Sequence, residues 1–243
     1  MRDAERSEPI IDTESPGRVS LFSDFEITGC GLVFEKQAWE SGFKFVAGLD
    51  EVGRGCLAGP VVAAACILNP AKELPKGLND SKQVAAKQRD EIAAELKEIS
   101  LAYAIGSVSS EEIDRINILE ATKLAMRRAI GDIKPGADFL LIDALVLKGV
   151  PIPQKSIIKG DSISASIAAA SILAKTYRDD LMSSYETEYP EYGFSEHVGY
   201  ATKRHYAALN AHGPCPIHRM SFRGVLQKTE TSLAIDGQLD INI

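Results

Sequence analysis

The apolar pattern changes character at residue 44. Before it, residues 1–43 form an acidic extension; residues 1–30 are polar, without clear periodicity, and are expected to be poorly ordered. After it, short continuous apolar runs bounded by turn residues alternate with stretches of helical period. Phe45 to Asp50 is a short apolar run ending in acids, and Val61 to Leu68 is wholly apolar between Gly59-Pro60 and Asn69-Pro70. A run of that length and boundary predicts a strand buried on both faces. Between Ser81 and Ser100, Ile92, Leu96 and Ile99 recur at helical spacing, and Leu101 to Val108 predicts another strand. Ser109-x-x-Glu112 is a capping box, Asn117 opens a second helix with Ala121, Leu124, Ala125 and Ala129 on one side, and Pro135-Gly136 ends it. Phe139 to Ile142 predicts a strand ending at Asp143, and Ser156 to Ile158 one ending near Asp161. A long helix is expected from Ser162 to Tyr185 and a last one from Tyr200 to Ala211.

Strands first, then helices alternating with strands, indicate an α/β layer structure with a mixed sheet. The domain reading is an extension over 1–43, an α/β domain over 44–190, a helical region over 191–228 and a tail over 229–243. The apolar stretches are all far too short to span a bilayer.

Charge sharpens this picture. The net charge of −7 points away from nucleic acid when taken alone. Yet residues 197–228 hold five bases (Lys203, Arg204, Arg219, Arg223, Lys228), no acid and all four histidines. A protein with one basic end can hold a polyanion despite its total charge. Cys30, Cys56, Cys66 and Cys215 form no C-x-x-C pair, and with no secretory leader they read as reduced thiols of a cytoplasmic protein.

Four acids sit where α/β sheets build sites, beyond the strand ends. Asp50 and Glu51 end the first strand, Asp143 a later one, and Asp161 opens a helix just after another. Converging carboxylates repel one another unless some are protonated or a cation binds between them. Hard oxygen ligands select Mg²⁺ or Mn²⁺, and two such ions ~4 Å apart clamp the attacking and leaving oxygens of a phosphoryl displacement. Adjacent strand residues face opposite sides, so Asp50 and Glu51 can serve one site only if the strand ends or bulges there, with Asp50 central and Glu51 at the strand's end. Gly53-Arg54-Gly55 follows directly: two glycines let the backbone approach a ligand and offer amide donors, and the arginine adds a planar fork for phosphate. His212-x-x-Cys215-x-x-His218 has metal-like spacing but shows only three ligands and no C-x-x-C partner, so a zinc site is not expected there.

The run Gly48 to Ala65 (GLDEVGRGCLAGPVVAAA) resembles the first signature of the ribonuclease HII family. So do Asn79-Asp-Ser-Lys82, Leu140-Leu-Ile-Asp143, Lys159-Gly-Asp-Ser with Ile167 to Lys175, Val198-Gly-Tyr200 and His218-Arg-Met-Ser-Phe222, in the family's order and over roughly residues 44–225. The resemblance implies a ribonuclease H-like fold with a mixed five-stranded sheet and a small helical C-terminal region. It implies a monomeric, cytoplasmic, metal-dependent endonuclease that cuts the RNA strand of RNA–DNA hybrids and cuts 5′ to ribonucleotides embedded in duplex DNA, using Mg²⁺ or Mn²⁺. Carried over by position, the acidic quartet falls on Asp50, Glu51, Asp143 and Asp161, the ribonucleotide-sensing loop on Gly53, Arg54 and Gly55, and the junction tyrosine on Tyr200. Lys82 is a candidate phosphate contact. Cys56 stands where the family often has proline. The rivals are another nuclease of the same fold, a non-catalytic nucleic-acid-binding module, and a metal-dependent phosphatase of small esters.

Overall fold

A computed structural model describes residues 29–226. Lys228, the acidic tail over 229–243 and the stretch 1–28 lie outside the described residues. The elements run α1 (Val33–Glu40), β1 (Val46–Val52), β2 (Val61–Ile67), α2 (Ala86–Ile99), β3 (Ala102–Val108), α3 (Ser110–Ile116), α4 (Ile118–Asp132), β4 (Phe139–Asp143), β5 (Gln154–Ile157), a 3₁₀ turn (Gly160–Ser162), α5 (Ala165–Glu188), α6 (Phe194–His197) and α7 (Lys203–His212).

The strands form one sheet of five in the order β3-β2-β1-β4-β5. The β1–β2 and β2–β3 pairs are antiparallel, and the β1–β4 and β4–β5 pairs are parallel. This is the mixed sheet expected from the sequence. Every residue of β2 is buried, as its unbroken apolar run requires of a central strand covered on both faces. On one face Ala47, Leu49, Ala63 and Ala65 pack with Ala121, Ala125, Met126 and Ala129 of α4. On the other, Val62, Ala64 and Cys66 pack with Ala168, Ala169, Ile172 and Leu173 of α5 and Ile92 and Leu96 of α2. The alanines let α5 lie close to the sheet: a Cβ on Gly48 would stand 2.0 Å from the Ser166 carbonyl carbon, so only glycine fits in β1 there. The C-terminal region has its own small core of Leu57, Met182, Tyr192, Phe194, Ala208, Leu209 and Val225.

Local signals mark the helix starts. Ser109 makes the reciprocal capping box with Glu112, and the Asn117 side chain accepts from the Leu119 and Glu120 amides. Several expectations need correction. Helix α5 starts at Ala165, not Ser162, because Gly160–Ser162 turns as a 3₁₀ segment and Ser164 caps the helix. Asp161 therefore sits in that turn and does not open the helix. Strand β5 ends at Ile157, and Ile158 is exposed. Helix α7 begins at Lys203 with Thr202 as its cap, which leaves Tyr200 in the preceding loop. Strand β1 runs through Val52, with Asp50, Glu51 and Val52 still paired to β2, so it neither ends nor bulges at Glu51.

A helix also lies within the span 1–43. Helix α1 buries Phe34, Glu35 and Ala38. The Glu35 carboxylate accepts from the Ser164 hydroxyl at 2.6 Å, the Ser166 amide at 2.8 Å and the Ser166 hydroxyl at 2.6 Å, which ties α1 to the start of α5.

Candidate active site

The site is built where β1 and β4 part. Their parallel pairing ends at Leu49 and Ile142, so Asp50 and Asp143 stand one residue beyond the last paired step, Asp143 as the last residue of β4 and Asp50 where β1 continues to Val52 beside β2 alone. Gly48 and Asp50 share the strand parity that faces α5, and Asp143 shares the parity of Phe139 and Leu141, which pack with Ile167 of α5. Glu51 has the opposite parity. It reaches the site because β4 has ended beside it.

The Asp50 carboxylate is buried and accepts from the Glu51 amide at 2.8 Å. Burial holds its pKa well above the ordinary value; the neighbouring Glu51 charge adds to this, and a hydrogen bond with Ser171 opposes it. Burial raises Glu51 as well, against Arg54, whose Nη1 lies 3.1 Å from Glu51 Oε1. Among the described residues, buried Glu51 Oε2 has no hydrogen-bond partner. Asp143 Oδ1 accepts from the Gly160 amide at 2.7 Å, which carries the Asp161 turn to the end of β4. Both Asp143 and Asp161 are raised, first by burial, with Asp80 adding to each and Lys82 opposing.

Asp80 is an acid that the sequence reading left out of the site. Its charge raises the Asp161 pKa, and Lys82 Nζ lies 3.8 Å from Asp80 and 3.6 Å from Asp161. Its signal was present in the Asn79-Asp-Ser-Lys82 motif. The Lys82 side chain is 76% exposed, so its charge is open to solvent above the acids.

The donor set fits a divalent cation. It is all hard oxygen, its charges destabilise one another, and one buried carboxylate oxygen is unpartnered. Among the described residues no three such side chains already stand as a metal cage. Like charges without a counter-ion hold apart, so drawing these carboxylates together is work that a bound cation would offset.

Beside the acids runs the turn Gly53–Gly55, with Arg54 and Gly55 exposed. Gly53 has φ +88°, and a Cβ there would meet Arg178 Nε at 2.2 Å. Gly55 is different: among the described residues nothing lies within 4 Å of where its Cβ would be. Tyr200 is 39% exposed, and Lys175 Nζ sits 5.6 Å from its ring centroid. Lys175 is itself held by Asp179 at 2.8 Å. The structure thus gathers Asp50, Glu51, Asp143, Asp161, Gly53, Arg54, Gly55, Lys82 and Tyr200 about the place where the inner strands β1 and β4 part.

A family model for ribonuclease HII matches residues 47–225. The chain belongs to the ribonuclease HII family. A ribonuclease HII of Desulfitobacterium hafniense is 55% identical over 196 residues, 81% of this chain and 75% of that one. A ribonuclease HII of Syntrophotalea carbinolica is 50% identical, over 80% of this chain and 92% of that one. The crystal structure of a ribonuclease H2 from Pyrococcus horikoshii, 26% identical, superposes with a TM-score of 0.64 over 75% of this chain and 95% of its own. Membership makes the chain an endoribonuclease and removes the reading as a non-catalytic binding module.

Within this ribonuclease the basic C-terminal end is not what its composition suggested. Arg219 is wholly buried, and Arg204 is paired with Glu196. Burial pushes the Arg219 guanidinium down to about 10, still charged at neutral pH. His197, His205 and His218 are also buried. His205 Nε2 and His218 Nε2 are 2.9 Å apart, and His218 Nδ1 accepts from the Cys215 amide at 2.9 Å. Both ring nitrogens of His218 are therefore occupied within the C-terminal core. Among the described residues no helix is long and apolar enough to cross a membrane.

Proposed function

We propose that this ribonuclease hydrolyses the RNA strand of RNA–DNA hybrids and cuts duplex DNA 5′ to embedded ribonucleotides, leaving 3′-hydroxyl and 5′-phosphate ends. The observation that carries this reading is one juxtaposition. Carboxylates suited to a divalent cation, gathered where β1 and β4 part, stand beside a Gly-Arg-Gly turn whose exposed Arg54 and Gly55 are able to touch a sugar.

Asp50, Glu51, Asp143 and Asp161 would hold Mg²⁺ or Mn²⁺. Bound metal supplies Lewis-acid polarisation of the phosphate and activation of the attacking water. The chain's own residues supply the rest. Arg54 and Lys82 are exposed cations on either side of the acids and orient the phosphate. The Gly53–Gly55 backbone lies against the 2′-hydroxyl, the one group that tells ribose from deoxyribose. The half-exposed Tyr200 ring packs on the adjoining sugar or base, held in place by Lys175. No covalent enzyme intermediate is required.

The test is incubation with a DNA duplex carrying one ribonucleotide, an all-DNA duplex and a mononucleotide, each with and without Mg²⁺ or Mn²⁺. Metal-dependent incision 5′ to the ribonucleotide alone is expected. Cleavage of the all-DNA duplex at the same rate would favour a different nuclease of this fold, and release of phosphate from the mononucleotide a phosphatase.

A further inference from the structure

The turn after β1 directs its carbonyls inward, onto a buried cation. Arg219 Nη2 donates to Gly53 O at 2.7 Å and Gly59 O at 2.8 Å, Nη1 to Arg54 O at 2.9 Å, and Nε to Gly59 O at 3.0 Å. Arg178 of α5, equally buried, donates to Pro60 O at 2.9 Å, Ala58 O at 3.1 Å and Val198 O at 2.8 Å, joining this segment to the loop that bears Tyr200.

A planar trans peptide carries its C=O and N–H on opposite sides. The Gly53–Arg54 and Arg54–Gly55 bonds are both trans. With Gly53 O and Arg54 O drawn inward by one guanidinium, the N–H groups of Arg54 and Gly55 face outward. Both residues are exposed there, and among the described residues neither amide has an acceptor. Two adjacent outward amides form a small anion- and oxygen-binding concavity. Only a planar fork makes this arrangement, because two carbonyls of consecutive residues are held by two nitrogens of the same group.

We propose that Arg219 is a positioning residue for ribose recognition: its grip on the Gly53 and Arg54 carbonyls presents the Arg54 and Gly55 amides to the 2′-oxygen and adjacent phosphate of a ribonucleotide. Arg219 touches no substrate; it acts by fixing two peptide planes. This rests on the function proposed above. It gives a buried arginine, which electrostatic guidance of a duplex could not use, a part in telling RNA from DNA.

The experiment compares wild type with Arg219→Lys, which keeps the charge and loses the fork. The KM and kcat are measured on a duplex with one ribonucleotide, and the inhibition constant for the all-DNA duplex of the same sequence. The expected result is a KM at least tenfold higher, approaching the all-DNA inhibition constant, with that constant unchanged. If both constants worsen together, or neither changes, Arg219 has only a structural role and the proposal fails. A measurement on the wild type keeps the test decisive should the variant not fold. In ¹⁵N-labelled protein without divalent metal, the Arg54 and Gly55 amide resonances are expected to shift with the ribonucleotide duplex and not with the all-DNA duplex. Amides indifferent to the ribonucleotide would overturn the proposal. A wild-type enzyme with no preference between the duplexes would sink the proposed function itself; a preference retained by Arg219→Lys would sink the positioning role alone.

Discussion

Replacing the two glycines of the turn by alanine, one at a time, separates building the loop from using it. Gly53 has φ +88°, where a residue with a Cβ costs about 1–2 kcal/mol. Its new methyl would also stand 2.2 Å from Arg178 Nε and displace it from Pro60 O, now accepting at 2.9 Å. A hydrogen bond from a charged donor contributes about 1.5–3 kcal/mol, so Gly53→Ala is expected to destabilise by about 2.5–5 kcal/mol in all. At ~2–4 °C per kcal/mol for a domain of this size, the melting temperature should fall by ~5–20 °C. Gly55 lacks the positive φ and its Cβ would meet none of the described residues within 4 Å, so Gly55→Ala should leave the fold intact. It should even raise the melting temperature by ~1–4 °C, because alanine restricts the unfolded chain by ~0.4–1 kcal/mol. If substrate packs on this backbone, the same methyl displaces one amide hydrogen bond to a charged or ribose oxygen. That loses about 1.5–3 kcal/mol, or ~10- to 150-fold in kcat/KM. The assay is calorimetric melting beside cleavage of the one-ribonucleotide duplex, with Mn²⁺ titration to show that metal affinity persists. A Gly55→Ala enzyme of normal stability and normal kcat/KM would refute the contact. Metal affinity lost in proportion to activity would show that the loop shapes the metal site.

Three further outcomes follow from the same geometry. Asp50→Asn or Asp143→Asn should cut cleavage by orders of magnitude while the fold is kept. Because burial raises the Asp50 pKa in the folded state, the native protein binds that proton more tightly than the unfolded chain; stability is lost as pH rises above the ordinary value of 3.8, and metal-free Asp50→Asn should melt higher than wild type at pH 7. His218 has the opposite sign: burial pushes it from 6.5 down to about 4, so its contribution is present above pH 6.5 and lost as pH falls toward 4, and His218→Gln should flatten that part of the wild-type melting profile; an unchanged profile would exclude it as the acid-sensitive group. Lys203 is exposed whereas Arg204 is engaged by Glu196, so Lys203→Ala should lower the salt slope of duplex binding by about 0.9 and Arg204→Ala by less; equal slopes for both variants would contradict this.

What the sequence determined by itself is what a few neighbouring residues decide. The capping box at Ser109, the Asn117 cap and the apolar run of β2 each depend on residues within one turn or one strand, so their elements were legible. Asp143 at the end of β4 was legible for the same reason, since an apolar run followed by a carboxylate is a local pattern, whereas β1 runs past Asp50 and Glu51 to Val52. The register of β5, the 3₁₀ turn bearing Asp161 and the true start of α7 were not. Each is set by what the segment docks against, as when the Gly160 amide is captured by Asp143, 17 residues away in sequence. Helix α1 was missed because it is only eight residues long and its anchor is the buried Glu35, whose partners Ser164 and Ser166 lie 129 and 131 residues on. Only the tertiary structure brought Asp50 beside Asp143, through parallel pairing of strands from distant parts of the chain. Only it decided that Arg219, read along the chain as one more base of a basic end, lies inside the protein, because burying an arginine is tolerable only where the fold supplies a ring of carbonyls to receive it.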